Sequence, residues 1–160
     1  MLNKPIVVNT VALDIEFSAG TMLDYQNWTP VLGCDLQIQV ILDQQVILDQ
    51  ALTTELVQFH YDFEDTRDIQ EHELQIRLSG VPVEQEENAN VMLRIHNLWI
   101  EGLNMHLAVQ DQGQYYHHTG EVHIPSEYLG CNGHWSLKFT TPIYSWLLDK
   151  ELKADYYYNP

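Results

Sequence analysis

The sequence predicts an all-β fold: a two-sheet antiparallel β-sandwich, jelly-roll-like, with at most short helical turns. Three observations lead there. Apolar and polar residues alternate with a period of two along much of the chain, no helical period runs for three turns, and strands with one wet face need a second sheet to cover the other. With 160 residues, 45% of them hydrophobic, the chain suffices for one domain with its own core. The expected organisation is a single sandwich over residues 1–152 and a C-terminal tail over 153–160.

Taken in order, Val11, Leu13, Ile15 and Phe17 alternate with Ala12, Asp14 and Glu16, which puts the apolar side chains on one face of an extended strand. Residues 21–27 are a candidate short helix. Cys34, Leu36, Ile38, Val40 and Leu42 make the next strand, and Asp43-Gln44-Gln45 turns it into Val46-Ile47-Leu48 as a hairpin. Val57, Phe59, Tyr61 and Phe63 form another strand, as do Leu74, Ile76 and Leu78. Val91, Leu93 and Ile95 continue through Asn97–Glu101, as an extension or a bulge, towards Gly102. Leu103, Met105, Leu107 and Val109 alternate as a further strand, and shorter ones are expected at Val122–Ile124 and at Trp135, Leu137 and Phe139. Ile143–Leu152 is the second helical candidate. Residues 79–90 and 110–120 lack an apolar period and carry Gly, Pro and polar residues, so both are expected as exposed loops.

Charge narrows the partners. Seven Lys and Arg against 23 Asp and Glu give a net charge of −16 with histidines neutral, and the cations are scattered, so the chain has no means of neutralising phosphates: nucleic acids and anionic membranes are excluded as partners. No apolar run reaches the roughly 18 residues of a spanning helix. The opening MLNKPIVVNTVALDIEF lacks the pattern of a secretory signal, so export by a signal peptide is not expected. Cys34 and Cys131 are too few and too distant for a disulfide framework. Reduced thiols are the expectation, with one long-range bridge left open.

The spacings that mark a nucleophile, a phosphate loop or a zinc site are missing: there is no GxSxG, HExxH or CxxC. The expectation is therefore a non-enzyme with no catalytic residues and no cofactor. Paired carboxylates such as Glu64-Asp65 and Glu86-Glu87 read as a solvated acidic face. Eight histidines include His117-His118 with His123 near by, and His60, His72, His96 and His106 in or beside strands; they read as polar surface residues, against a metal site that would need converging imidazoles. Residues 62–73 (DFEDTRDIQEHE) carry Asp62, Asp65 and Asp68, which are candidates to wrap one calcium ion, although the spacing is not that of an EF-hand.

Aromatic residues supply the candidate contacts. Tyr25 and Trp28, Tyr115 and Tyr116, and the terminal Tyr156, Tyr157 and Tyr158 lie in stretches read as exposed, where rings stack on sugars or anchor a protein partner. Trp99, Trp135 and Trp146 sit among aliphatic neighbours and are expected in the core.

Two stretches carry a likeness to known families. In VMLRIHNLWIEGLNM, residues 91–105, Asn97, Leu98, Trp99 and Gly102 resemble the strand pair of calcium-dependent xylan-binding-type carbohydrate-binding modules; where that family has acidic and amide ligands, this chain has Leu93, Arg94, Ile95 and His96. In GCNGHWSLKFTTPIYSWLLDKEL, residues 130–152, Gly130, Gly133, Trp135, Phe139, Pro142, Tyr144, Trp146 and Leu147 resemble the C-terminal end of small sandwich proteins of tailed bacteriophages, with further likeness in ILDQQVILDQ and VQFHYDF. The second resemblance implies a structural protein of the virion, a head decoration or a tail or fibre component. It would assemble in the host cytoplasm and work through contacts with other virion proteins or copies of itself. The first implies a carbohydrate-binding module, with glycan as partner and calcium as the ion it would use.

Overall fold

In β1 (Asn9–Asp24) the side chains of Val11, Leu13, Ile15, Phe17 and Ala19 are at most 1% exposed, and those of Ala12, Asp14 and Glu16 face outward. The computed structural model describes residues 9–24, 27–29, 35–65, 70–82, 92–123 and 126–150, and the backbone alone at 21–24, 27–29 and 70. The remaining strands are β2 (Asn27–Thr29), β3 (Gln37–Leu42), β4 (Gln45–Ala51), β5 (Val57–Asp65), β6 (Gln70–Ser79), β7 (Met92–Ile100), β8 (Leu103–Asn104), β9 (Gln114–His117), β10 (Val122–His123), β11 (Tyr128–Leu129) and β12 (Gly133–Thr141). Two short helices join them, α1 (His106–Asp111) and α2 (Ile143–Asp149).

The strands form two antiparallel sheets. In the first, β1 is central, pairing with β5 on one side and β7 on the other; β11 and β8 extend β7, and β2 pairs with the far end of β1. In the second the order is β10-β9-β12-β6-β3-β4. Their inner faces meet in one apolar cluster that includes Leu13, Ile15 and Phe17 of β1, Leu93 and Ile95 of β7, Ile38 and Val40 of β3, Leu74 and Ile76 of β6, and Trp135, Leu137 and Phe139 of β12. Each such side chain contributes about 1.5–3 kcal/mol when fully buried. The predicted sandwich is the fold observed.

The hairpin of β3 and β4 turns on two residues, Asp43 (φ 50°) and Gln44 (φ 70°), both in the left-handed region that two-residue hairpin loops require. Asp43 also closes the end of the sandwich: one carboxylate oxygen accepts the Glu73 backbone N–H at 2.8 Å and the other lies 2.6 Å from His72 Nδ1.

Four local expectations are corrected. The helix expected over residues 21–27 is absent from those of them that are described, because β1 continues to Asp24 and β2 begins at Asn27. The strand expected over residues 103–109 stops at Asn104; Met105, Ala108 and Val109 share the buried face of α1, an i, i+3, i+4 pattern hidden inside an alternating one. Residues 110–120 are no simple loop, since they hold the end of α1 and all of β9. His72 is not a surface residue: it shares the inward row of Leu74, Ile76 and Leu78 and is 8% exposed. The C-terminal helical expectation holds over Ile143–Asp149, with Ile143, Trp146 and Leu147 on its buried face. Cys34 and most of residues 79–90 lie outside the described residues; Cys131 is buried, its Sγ 3.1 Å from the Tyr115 hydroxyl.

Candidate glycan-contact surface

The strand pairings of the first sheet set its outward side chains in rows. One row runs His60, Asp14, Trp99 and Asn104 across β5, β1, β7 and β8; the next runs Gln58, Glu16 and Asn97. Asn104 reaches its place because Glu101 (φ 52°) and Gly102 (φ 78°) make a tight turn between β7 and β8.

Trp99 faces outward because β7 contains a bulge. Ile95 pairs with Phe17 and Asn97 with Glu16, which leaves His96 as the extra residue. Leu93 and Ile95 point inward, and strict alternation would carry positions 97 and 99 inward too. The bulge puts His96 and Asn97 outside in succession, returns Leu98 and Ile100 to the core at 0% exposure, and leaves Trp99 half-buried on the outer face. The core position expected for Trp99 is thereby corrected, whereas Trp135 and Trp146, at 0% and 5% exposure, are in the core as expected.

The polar groups around Trp99 hold one another in place. Glu16 accepts from Asn97 Nδ2 through one oxygen and from Gln58 Nε2 through the other, both at 2.9 Å. His60 lies between two carboxylates, Nδ1 2.6 Å from Asp14 and Nε2 2.9 Å from Asp62. The hydrogen bond to Asp14, followed by that to Asp62, raises the His60 pKa above the ordinary histidine value. His96 shifts the other way, lowered first by burial and then by the Arg94 charge, and its Nε2 lies 2.7 Å from Ser18 Oγ. Together Asp14, Glu16, Gln58, His60 and Trp99 bound a shallow depression. It presents an apolar ring face flanked by acceptors and donors, a combination suited to the C–H face and the hydroxyls of a sugar.

Ser18 and His96 are also a hydroxyl and an imidazole within hydrogen-bond distance, the contact from which a nucleophile is built. Ser18 is 3% exposed, so its oxygen offers an acyl carbon little approach.

Other candidates are dispersed. Tyr115 is not an exposed contact: it is 4% exposed, donates its hydroxyl to the Cys131 carbonyl and accepts the Cys131 N–H at 3.0 Å, because odd positions of β9 face the core. Tyr116 faces outward on the second sheet, its ring 5.0 Å from that of His134 and nearly parallel. Trp28 lies in β2 opposite Met22; Tyr25, Tyr156, Tyr157 and Tyr158 lie outside the described residues. Asp62 and Asp65, three apart on β5, point to opposite faces: Asp62 is exposed beside His60, and Asp65 is buried against His72 and Thr141. They do not converge on one ion, and Asp68 lies outside the described residues. The rings of His117 and His118 lie with centroids 4.1 Å apart at a tilt of 33°. Among the described residues no group of three or more His, Cys, Asp or Glu side chains is placed to hold a metal.

No protein-family model matches the chain, and no curated protein matches it. Solved structures do. One is described as vCBM60 in complex with galactobiose: it is 11% identical, with a TM-score of 0.49, over 79% of this chain and 96% of that one. Another is the selenomethionine form of vCBM60, described under a circular permutation linking two families of calcium-dependent carbohydrate-binding modules: 11% identity, TM-score 0.50, 79% of this chain and 89% of that one. What the chain shares with them is a two-sheet β-sandwich. At such identity the likeness is one of fold. Nothing found supports the resemblance to phage proteins.

Proposed function

We propose that this protein is a non-catalytic carbohydrate-binding module that holds a neutral glycan on the outer face of its first sheet. The observation that carries the reading is the row His60, Asp14, Trp99, Asn104, in which the β7 bulge turns an indole outward between hydrogen-bonding side chains. Trp99 offers a pyranose its apolar ring face. The carboxylates of Asp14 and Glu16 accept from sugar hydroxyls, and the amides of Asn97, Gln58 and Asn104 both donate and accept. Asp14, Glu16 and Asp62 make the surface acidic, which favours an uncharged sugar over a uronate or a sulfated one. Support also comes from the similar fold of the selenomethionine form of vCBM60.

Calcium does not enter this reading, because Asp14, Glu16 and Asp62 of the platform are engaged with His60 and the neighbouring amides, and among the described residues no three acidic or histidine side chains are grouped to hold an ion. The test is binding of neutral oligosaccharides in an array and by tryptophan emission, with and without chelator. Binding that survives chelation and disappears in Trp99→Ala on the array, with the far-ultraviolet circular dichroism of the fold retained, is the expected result. Full binding by Trp99→Ala refutes the assignment of the surface.

A further inference from the structure

The outer face of the second sheet carries a different chemistry. One row there runs Tyr116, His134, Arg77, Gln39 and Asp49 across β9, β12, β6, β3 and β4. Beside it is a hollow of about 300 Å³, mostly apolar in its accessible surface, with Arg77, His118 and His134 among its lining residues and no Asp or Glu among the described residues that form it. In a chain of net charge −16 that is an unusual place.

Arg77 is exposed and makes no ion pair or side-chain hydrogen bond among the described residues. Of the other described cations, Arg94 lies 3.5 Å from Glu127 and over the ring of Tyr128, Lys150 sits 6.0 Å from the centre of the Trp146 ring, and Lys138 stands opposite Glu73 in the strand register. The nearest acid along the row, Asp49, already accepts from Gln37 at 2.7 Å and from Gln39 at 3.1 Å, and it stands two strands from Arg77, about 10 Å at the usual strand spacing. Glu73 accepts the Ser136 hydroxyl at 3.0 Å and lies four positions along β6 from Arg77, about 13 Å. The Asn132 side chain exchanges both its hydrogen bonds with the Val81 backbone at 2.8 Å, which fixes the floor of the hollow.

We propose that Arg77 and His134 form a second binding site, for the carboxylate of a single uronic acid residue within an otherwise neutral glycan; this rests on the reading of the protein as a carbohydrate-binding module. The guanidinium presents two parallel N–H donors to a carboxylate, the geometry in which arginine surpasses lysine. His134 is its direct cross-strand neighbour and adds a ring nitrogen, and Tyr116, stacked on His134, holds that ring in place. The net negative charge of the chain selects against polyanions. At physiological salt the screening length is about 8 Å, so one carboxylate at Arg77 is shielded from Asp49 and Glu73, while a run of uronates would meet them.

The probes are sodium glucuronate, glucose and sodium acetate, added to the intact chain while the ring resonances of His134 are followed by NMR. Glucuronate at millimolar concentration shifts His134, glucose and acetate do so far less, and Arg77→Gln weakens the glucuronate response about tenfold, with Arg77→Lys between the two. Trp99→Ala leaves that response intact, because the two faces are on opposite sides of the sandwich. A glucuronate response absent in the wild type, undiminished in Arg77→Gln, or matched by glucose or acetate overturns the proposal. Neutral oligosaccharide binding read at Trp99 reports separately on the first face, so the two readings fail independently.

Discussion

Gly113 lies against the indole of Trp135 so closely that a Cβ there would come within 2.2 Å of Nε1, 2.6 Å of Cε2 and 2.7 Å of Cζ2. Trp135 is 0% exposed at the centre of the second sheet and cannot retreat. Gly113→Ala is therefore expected to destabilise the fold by about 1–3 kcal/mol through overpacking. Urea unfolding checks it: the midpoint falls while the slope stays constant.

His72 ties the two sheets at one end of the sandwich. Its Nδ1 and Nε2 each lie 2.6 Å from a carboxylate, Asp43 and Asp65 respectively, and Asp65, 3% exposed, also accepts from Thr141. His72→Leu strands the Asp65 carboxylate in the interior and is expected to cost about 3–5 kcal/mol, whereas replacing both His72 and Asp65 by Leu recovers most of that loss. Equilibrium unfolding of the two variants decides whether burial of an unpaired charge is the cause.

On the outer face of the first sheet, two histidines titrate in opposite directions. His60 is raised above 6.5 by its hydrogen bonds to Asp14 and Asp62, so its stabilising contribution is fully present below that value and is lost as pH rises through the folded pKa. His96 is lowered below 6.5 by burial, then by Arg94, so its contribution is present above that value and is lost as pH falls through the folded pKa. NMR titration is expected to give His60 the higher midpoint, and Asp14→Asn brings it down towards 6.5.

Glu16 organises the platform while remaining half-buried at the surface. Glu16→Gln keeps the shape but cannot accept from both Asn97 and Gln58 through carboxylate oxygens. Stability is expected to change by less than about 1 kcal/mol, since such exposed polar contacts are worth little. Affinity for a neutral oligosaccharide is expected to fall several-fold, because the amides that meet the sugar lose their fixed orientation, and isothermal calorimetry measures it.

Much of the fold is legible in the sequence because long runs such as Val11–Phe17 and Leu74–Leu78 obey one period, and the inner faces of β1, β6 and β12 follow from it directly. The signal fails where two periods coincide. Met105 and Val109 alternate with their neighbours and also lie one helical turn apart, and burial of Ala108 between them is what distinguishes α1 from a strand. β11 is two residues long and leaves no periodic trace. Tyr115 and Tyr116 look alike as letters, but adjacent positions of β9 face opposite ways, and only the pairing of Tyr116 with His134 reveals which ring is outside. Trp99 was hidden by its aliphatic neighbours Leu98 and Ile100. Its surroundings, Asp14, Glu16, Gln58 and His60, come from two other strands and become a site only through register.

The extra residue of the bulge, His96, also acts as a counter for everything downstream of it in β7. Removing one codon there would restore unbroken alternation, swing the Trp99 indole into the interior and drive Leu98 and Ile100 into water. Exposure or burial of that indole thus needs no change of residue type at all, only a shift of one in the length of a strand.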